Sequence, residues 1–101
     1  AIGEKLNLPS ERLLSIVGAG AASSWFLEHR GKTMLENSFG VGFKLSLLLK
    51  DLLICQEVAR EWDISIPTTE AAIRDYRELV ALGDGDNDIS GLIRLKRGVD
   101  R

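Results

Sequence analysis

Apolar residues recur along this chain at three- and four-residue intervals almost throughout. That is the spacing of one helix face, not the alternation of a half-buried strand. Leu13, Leu14 and Val17 set one such face on residues 11–17. Proline tolerates the first turn of a helix and Glu11 suits its positive end, so the break at Leu8-Pro9-Ser10 is read as the start. Gly18-Ala19-Gly20 is the predicted stop. Ser23 or Ser24 can cap a second segment beginning at Trp25. Gly31 is expected to break or kink it, with residues 33–36 continuing. Phe39-Gly40-Val41-Gly42-Phe43 reads as a loop between apolar anchors.

The longest helix is predicted from about Phe43 to Trp62. Leu45, Leu48, Leu49, Leu52, Ala59 and Trp62 follow helical spacing, and Leu47, Ile54 and Val58 add a second apolar face. A helix apolar on two sides is expected to be central, enclosed by others. Ile64-Ser65-Ile66-Pro67 ends it, because the residue before proline avoids the helical region. Thr68 or Thr69 is the expected cap of the next helix, whose stripe is Ala72, Ile73, Tyr76, Leu79 and Val80. Beyond a loop at residues 83–88, Asp88 can cap a last helix carrying Ile89, Leu92, Ile93 and Leu95. No segment reads convincingly as a strand. The fold class is therefore all-α, a compact helical bundle of about five to six helices.

Composition narrows the function classes. The 101 residues are 45% hydrophobic and 28% charged, a globular composition with room for one small core. With 13 Lys+Arg against 15 Asp+Glu the net charge is −2, which leaves no electrostatic footprint for nucleic acid or an anionic membrane. The basic cluster Arg94, Lys96, Arg97 reads as cations at a helix C-terminus. A single cysteine, Cys55, cannot form an internal disulfide and fits a reducing, cytoplasmic compartment. One cysteine and one histidine, His29, fall short of the roughly four ligands of a structural zinc site. The longest apolar run, residues 45–55, is interrupted by Ser46, Lys50 and Asp51, short of the ~18 residues of a spanning helix. The opening Ala1-Ile2-Gly3-Glu4-Lys5-Leu6 has neither Met nor a capping residue and reads like the last turns of a helix. Residues 1–101 are thus expected to be a piece of a longer protein.

Several motifs carry less than they first suggest. Gly18-Ala19-Gly20-Ala21-Ala22-Ser23 imitates a dinucleotide-binding loop, with the wrong last residue and no preceding strand. Asp84, Asp86 and Asp88 have the spacing of the first ligands of a calcium loop, but the sixth position is Ile89 and the twelfth Leu95. A solvated turn is expected there. His29 is read as an exposed histidine and Cys55 as an inert buried thiol. Lys50-Asp51 stands out most, as two charges inside Leu47-Leu48-Leu49 and Leu52-Leu53-Ile54. Buried charges need partners. Sequence neighbours lie about 100° apart around a helix, so the two are expected to point at different neighbours and not to neutralise each other. Salt bridges between helices are the ordinary reading; a cleft where Lys50 meets an anionic or polar ligand is the functional one. Trp25 is read as a core residue or as a pocket wall beside a free helix N-terminus.

The order of these motifs resembles the C-terminal domain of the 3-hydroxyisobutyrate dehydrogenase (β-hydroxyacid dehydrogenase) family. The likeness rests on Gly18-Ala19-Gly20, Ser24-Trp25-Phe26-Leu27-Glu28, Phe43, Leu49-Lys50-Asp51-Leu52, Ile66-Pro67-Thr68, Tyr76, and Gly83-Asp84-Gly85-Asp86-Asn87-Asp88-Ile89-Ser90-Gly91-Leu92-Ile93. The resemblance implies an oxidoreductase using NAD or NADP on a small β-hydroxy acid, with an upstream Rossmann domain and a homo-oligomeric assembly. By match it implies that Lys50 reaches the cofactor and that Asp51 orders that site. Trp25, Ser24 and Phe43 would border the substrate cleft. It places the catalytic lysine upstream of this chain: Lys5 lacks the surrounding motif and Lys50 belongs to a later one. Phe26 and Arg30 stand where the family often has a further aromatic. The chain alone is expected to be inactive. The alternative is a non-catalytic helical dimerisation or interaction module, with Lys50 and Asp51 making structural pairs.

Overall fold

The computed structural model describes residues 1–40 and 42–98. Val41 of the predicted 39–43 loop and residues 99–101 of the predicted domain lie outside it. In chain order the elements are α1 (Ile2–Lys5), α2 (Ser10–Ala19), α3 (Trp25–Leu35), α4 (Leu45–Glu61), α5 (Pro67–Ala81), a 3-10 turn (Ile89–Leu92) and α6 (Ile93–Arg97). Among the described residues there is no sheet, only an isolated bridge between Lys44 and Asp88. The fold is an all-α domain, as its periodicity predicts.

Local chemistry explains where the elements begin and end. Ser24 caps α3, its hydroxyl oxygen accepting the Leu27 N–H at 3.0 Å. Gly31 does not break that helix. It is buried, and a Cβ there would stand 2.9 Å from Leu14 Cδ2, so the missing side chain lets α3 close onto α2. A mid-helix glycine costs only about 1 kcal/mol against alanine, which that contact offsets. Neither threonine caps α5. The helix starts at Pro67, whose ring already fixes a helical φ at the first position. The last helix enters through the tight 3-10 turn, because the Asp88 carboxylate captures the Ser90 N–H at 3.0 Å. It ends at Gly98, which adopts a left-handed φ of 71°.

Two helical pairs make the molecule, α2 against α3 and α4 against α5, and the 3-10 turn touches α3, α4 and α5 alike. The core lies between the second pair and the last helical turns. Leu45, Tyr76, Leu79 and Leu95 are buried together, with Leu48, Leu49, Leu52, Ala72 and Leu92 packed around them. The expectation that α4 is enclosed on both faces is not met. Leu47, Ile54 and Val58 are each about half exposed, because α5 and the 3-10 turn cover only the opposite face. For the same reason Cys55 is exposed and not buried.

Candidate functional site

The loop before the 3-10 turn is the junction of the fold. Far from being a solvated turn, it buries Asp84 and Asp88 while Asp86 stays exposed. The difference arises because each buried aspartate meets an arginine: Arg94 reaches Asp84 and Arg30 reaches Asp88. The basic cluster at the end of α6 is likewise paired, with Lys96 on Asp75 and Arg97 on Glu4.

Asp88 is only 1% exposed and accepts five hydrogen bonds. Its Oδ1 accepts the N–H groups of Gly42 at 3.1 Å and Phe43 at 2.9 Å. Its Oδ2 accepts Arg30 Nε–H at 2.9 Å, the Ser90 amide at 3.0 Å and the Ser90 hydroxyl at 2.6 Å. Backbone bonds stitch the same two segments together: Asp88 N–H donates to Phe39 O, Ile89 N–H to Phe43 O and Leu45 N–H to Asn87 O. A Cβ at Gly42 would collide with the Arg30 guanidinium.

Burial alone would raise the Asp88 pKa, but the Ser90 hydroxyl, the Phe43 and Ser90 amides and Arg30 outweigh it and hold the carboxyl well below the usual carboxylate range. A group with a depressed folded pKa stabilises the fold at all pH above its unfolded value, and that stability fades as pH falls further toward the folded pKa. Melting temperature is therefore expected to be flat from neutral pH down to about 4, the ordinary aspartate value, and to fall below it. Asp88→Asn, compared by thermal melts over the same range, is expected to lose most of that acid dependence.

The residues singled out by sequence fall in two places. Trp25 opens α3 and is 61% exposed, so it is a surface wall and not a core residue. The His29 ring stacks on it, centroids 4.1 Å apart and planes 13° from parallel. His29 Nδ1 also lies 2.7 Å from the Trp25 carbonyl oxygen. His29 is exposed, as its sequence setting predicts, but it is not without a neighbour. Arg30 Cζ lies 5.4 Å from the indole centroid. Phe43 stands just ahead of α4 and is partly exposed. Ser24 is exposed and spends its hydroxyl acceptor on capping α3. These segments are tied together through Arg30 and Asp88, beside a shallow cleft of about 210 Å³ lined by Arg30, Thr33, Ser38, Gly40, Gly42 and Asp88.

Lys50 and Asp51 sit apart from that node, on the open side of α4, about 8 Å along its axis from Leu45. Lys50 Nζ is 3.7 Å from Asp51 Oδ1, and both side chains are more than half exposed. The expectation that they point at different neighbours is overturned. The lysine stem is long enough to fold back, and no buried charge has to be satisfied on a solvated face. An exposed pair of this kind contributes less than about 1 kcal/mol, so the ammonium is free to engage a ligand. Sequence reasoning singled out Arg30 only as standing in place of an aromatic, and missed its pairing with Asp88, the role of Gly42 and the burial of Asp88. The Asp88–Ser90 spacing was legible as a cap, whereas Arg30 lies 58 residues from Asp88.

Residues 1–96 match the family described as "NAD-binding of NADP-dependent 3-hydroxyisobutyrate dehydrogenase". The chain is 28% identical over 95 residues to 2-(hydroxymethyl)glutarate dehydrogenase of Eubacterium barkeri, covering 93% of this chain and 32% of that protein. It is 29% identical over 92 residues to glyoxylate/succinic semialdehyde reductase 1 of Arabidopsis thaliana, covering 91% and 32%. The crystal structure of a 3-hydroxyisobutyrate dehydrogenase from Salmonella typhimurium has the same fold, with a TM-score of 0.86 at 19% identity over 93% of this chain and 33% of that one. A match across nearly the whole chain settles membership: the chain belongs to the 3-hydroxyisobutyrate dehydrogenase family, whose cofactor is NAD or NADP. It spans about a third of the length of these relatives.

A dinucleotide carries anionic phosphates and planar rings. The open face of α4 offers it one unburied ammonium, Lys50, with Leu47 and Ile54 exposed on the same helix. The fit is that of an accessory contact, not of a complete nucleotide cradle.

Proposed function

We infer that this chain serves as the helical C-terminal domain of an NAD(P)-dependent dehydrogenase acting on a small β-hydroxy acid, in the cytoplasm. The observation that carries the reading is the Lys50–Asp51 pair, exposed on an uncovered face of α4 in a chain of this family. In this reading Lys50 binds the cofactor, and Asp51, 3.7 Å away, restrains the lysine. Trp25 and Phe43 form apolar walls of the substrate cleft, and Ser24 fixes the start of α3 on which Trp25 sits. The nicotinamide supplies the hydride acceptor and donor; the protein's part is binding, orientation and exclusion of water. The general acid/base lies outside these 101 residues, and Lys50 is not assigned that role.

The uncovered α4 face, with Leu47, Ile54 and Val58 exposed and Trp62 exposed just beyond its end, supports contact with further polypeptide of the same enzyme, within one subunit and between subunits of a homo-oligomer. The same face favours the second reading, a helical interaction module without catalysis. Neither reading calls for a nucleic-acid or membrane partner.

Titrating NADH and NADPH into the 101-residue chain, followed by calorimetry, tests this division of labour. The expected result is no binding in the micromolar range and no turnover. Micromolar affinity in the isolated chain would mean that it holds the nucleotide by itself.

A further inference from the structure

Arg30 lies against the Trp25 ring and is paired with Asp88, which holds the Gly42 and Phe43 amides. Its guanidinium carbon lies 5.4 Å from the centroid of the Trp25 ring. The same group fills the space above Gly42 that a Cβ would need. Its Nε–H donates to Asp88 Oδ2 at 2.9 Å, and the other oxygen of that carboxylate accepts the N–H groups of Gly42 and Phe43. The indole at the start of α3 and the backbone at Gly42 and Phe43, ahead of α4, are thus joined by one ion pair. The pair is enclosed, with 20% of the arginine and 1% of the aspartate side chain exposed, so salt screens it little. Lysine does not replace the arginine, because a point-charge ammonium lacks the planar fork that donates at a fixed angle. His29 stacks on the indole as well, which further narrows the positions open to Trp25.

The geometry points to Arg30 and Asp88 as positioning residues that fix the spacing of Trp25 and Phe43, and thereby the size of hydroxy acid the enzyme accepts. This rests on the dehydrogenase reading, which puts both aromatics beside the substrate. Asp88 is spent entirely on protein donors, and Arg30 acts through the Trp25 ring and the backbone at residues 42–43. Loss of the pair moves the walls and leaves Lys50 in place. Its signature is therefore altered discrimination between acids with unaltered cofactor affinity. Discrimination of one methyl or methylene group in an apolar pocket spans roughly 10–200-fold, so a displaced wall has a wide range in which to register.

Two variants break the coupling by different means. Arg30→Lys keeps the charge and loses the Nε–H donor. Gly42→Ala keeps every charge and pushes the guanidinium off its seat. Lys96→Met, which breaks the pairing with Asp75 between α6 and α5, controls for loss of an ion pair elsewhere in the fold. In the 101-residue chain carrying Trp62→Phe, Trp25 is the sole tryptophan, and its indole N–H and the Gly42 and Phe43 amides are followed by NMR. Both coupling variants are expected to shift all three signals, and Lys96→Met none. In the intact dehydrogenase, the ratio of kcat/KM for 3-hydroxypropionate and 3-hydroxyisobutyrate is expected to change about fivefold or more, with the KM for the nucleotide within about twofold and the control ratio unchanged. An unchanged ratio in active Arg30→Lys and Gly42→Ala enzymes overturns the proposal. So does a Trp25 signal that stays put when the Phe43 amide moves. If the unmodified enzyme turns over neither acid, the dehydrogenase reading fails and the selectivity role with it, while the NMR shifts still decide whether the pair couples the two walls.

Discussion

Asp88→Ala is expected to lower the melting temperature by about 12–40 °C, or to leave the chain unfolded at room temperature. Removing one partner of a buried ion pair costs roughly 3–5 kcal/mol, because the other charge is left without compensation. Here Arg30 is that charge, and the amides of Gly42, Phe43 and Ser90 lose their acceptor with it. For a domain near 100 residues each kcal/mol shifts the midpoint by about 4–8 °C. The residue also sits where the α2–α3 pair meets the α4–α5 pair through the 3-10 turn, so its loss loosens the joint between them. Asp88→Asn is expected to fall between alanine and the native residue, since it keeps one carbonyl acceptor but sets an amide N–H₂ against donors. Circular dichroism on heating and in urea measures both. A loss below about 1 kcal/mol for the alanine variant, the size of an ordinary solvated hydrogen bond, would show that Asp88 is not the joint described here.

Lys50→Ala is expected to do the reverse: leave stability alone and weaken the cofactor. The Lys50–Asp51 pair is exposed, so its removal changes folding by less than about 1 kcal/mol. A charge-assisted hydrogen bond to an anionic ligand contributes about 1.5–3 kcal/mol, and each 1.4 kcal/mol is tenfold in affinity. The KM for NAD(P)H in the intact dehydrogenase is therefore expected to rise about tenfold to a hundredfold, with melting shifted by no more than a few degrees. Lost stability with unchanged KM would instead favour the structural reading of the pair.

Much of this architecture is written locally. The three- and four-residue spacing of Leu45, Leu48, Leu49 and Leu52 gives α4, Ser24 gives the start of α3, and Asp88 gives the last turn. What sequence could not supply is which faces meet. Leu47, Ile54 and Val58 read as a second buried face because apolar periodicity records what a helix can bury, not what is present to cover it. Gly31 reads as a breaker because its contact with Leu14 crosses between helices. The candidate site divides in the same way. Trp25, Phe43 and Lys50-Asp51 come from a motif order, whereas the node that joins the first two depends on Arg30, Gly42 and Asp88 meeting from three distant segments.

The most direct measurement is hydride transfer by the intact protein carrying this chain, followed as NAD(P)H absorbance with a small series of β-hydroxy acids. The expected result is saturable, acid-dependent reduction of NAD or NADP, weakened at the nucleotide KM by Lys50→Ala. A purified, cooperatively folded protein that binds neither nucleotide and turns over no β-hydroxy acid would contradict the dehydrogenase reading and leave the helical interaction module in its place.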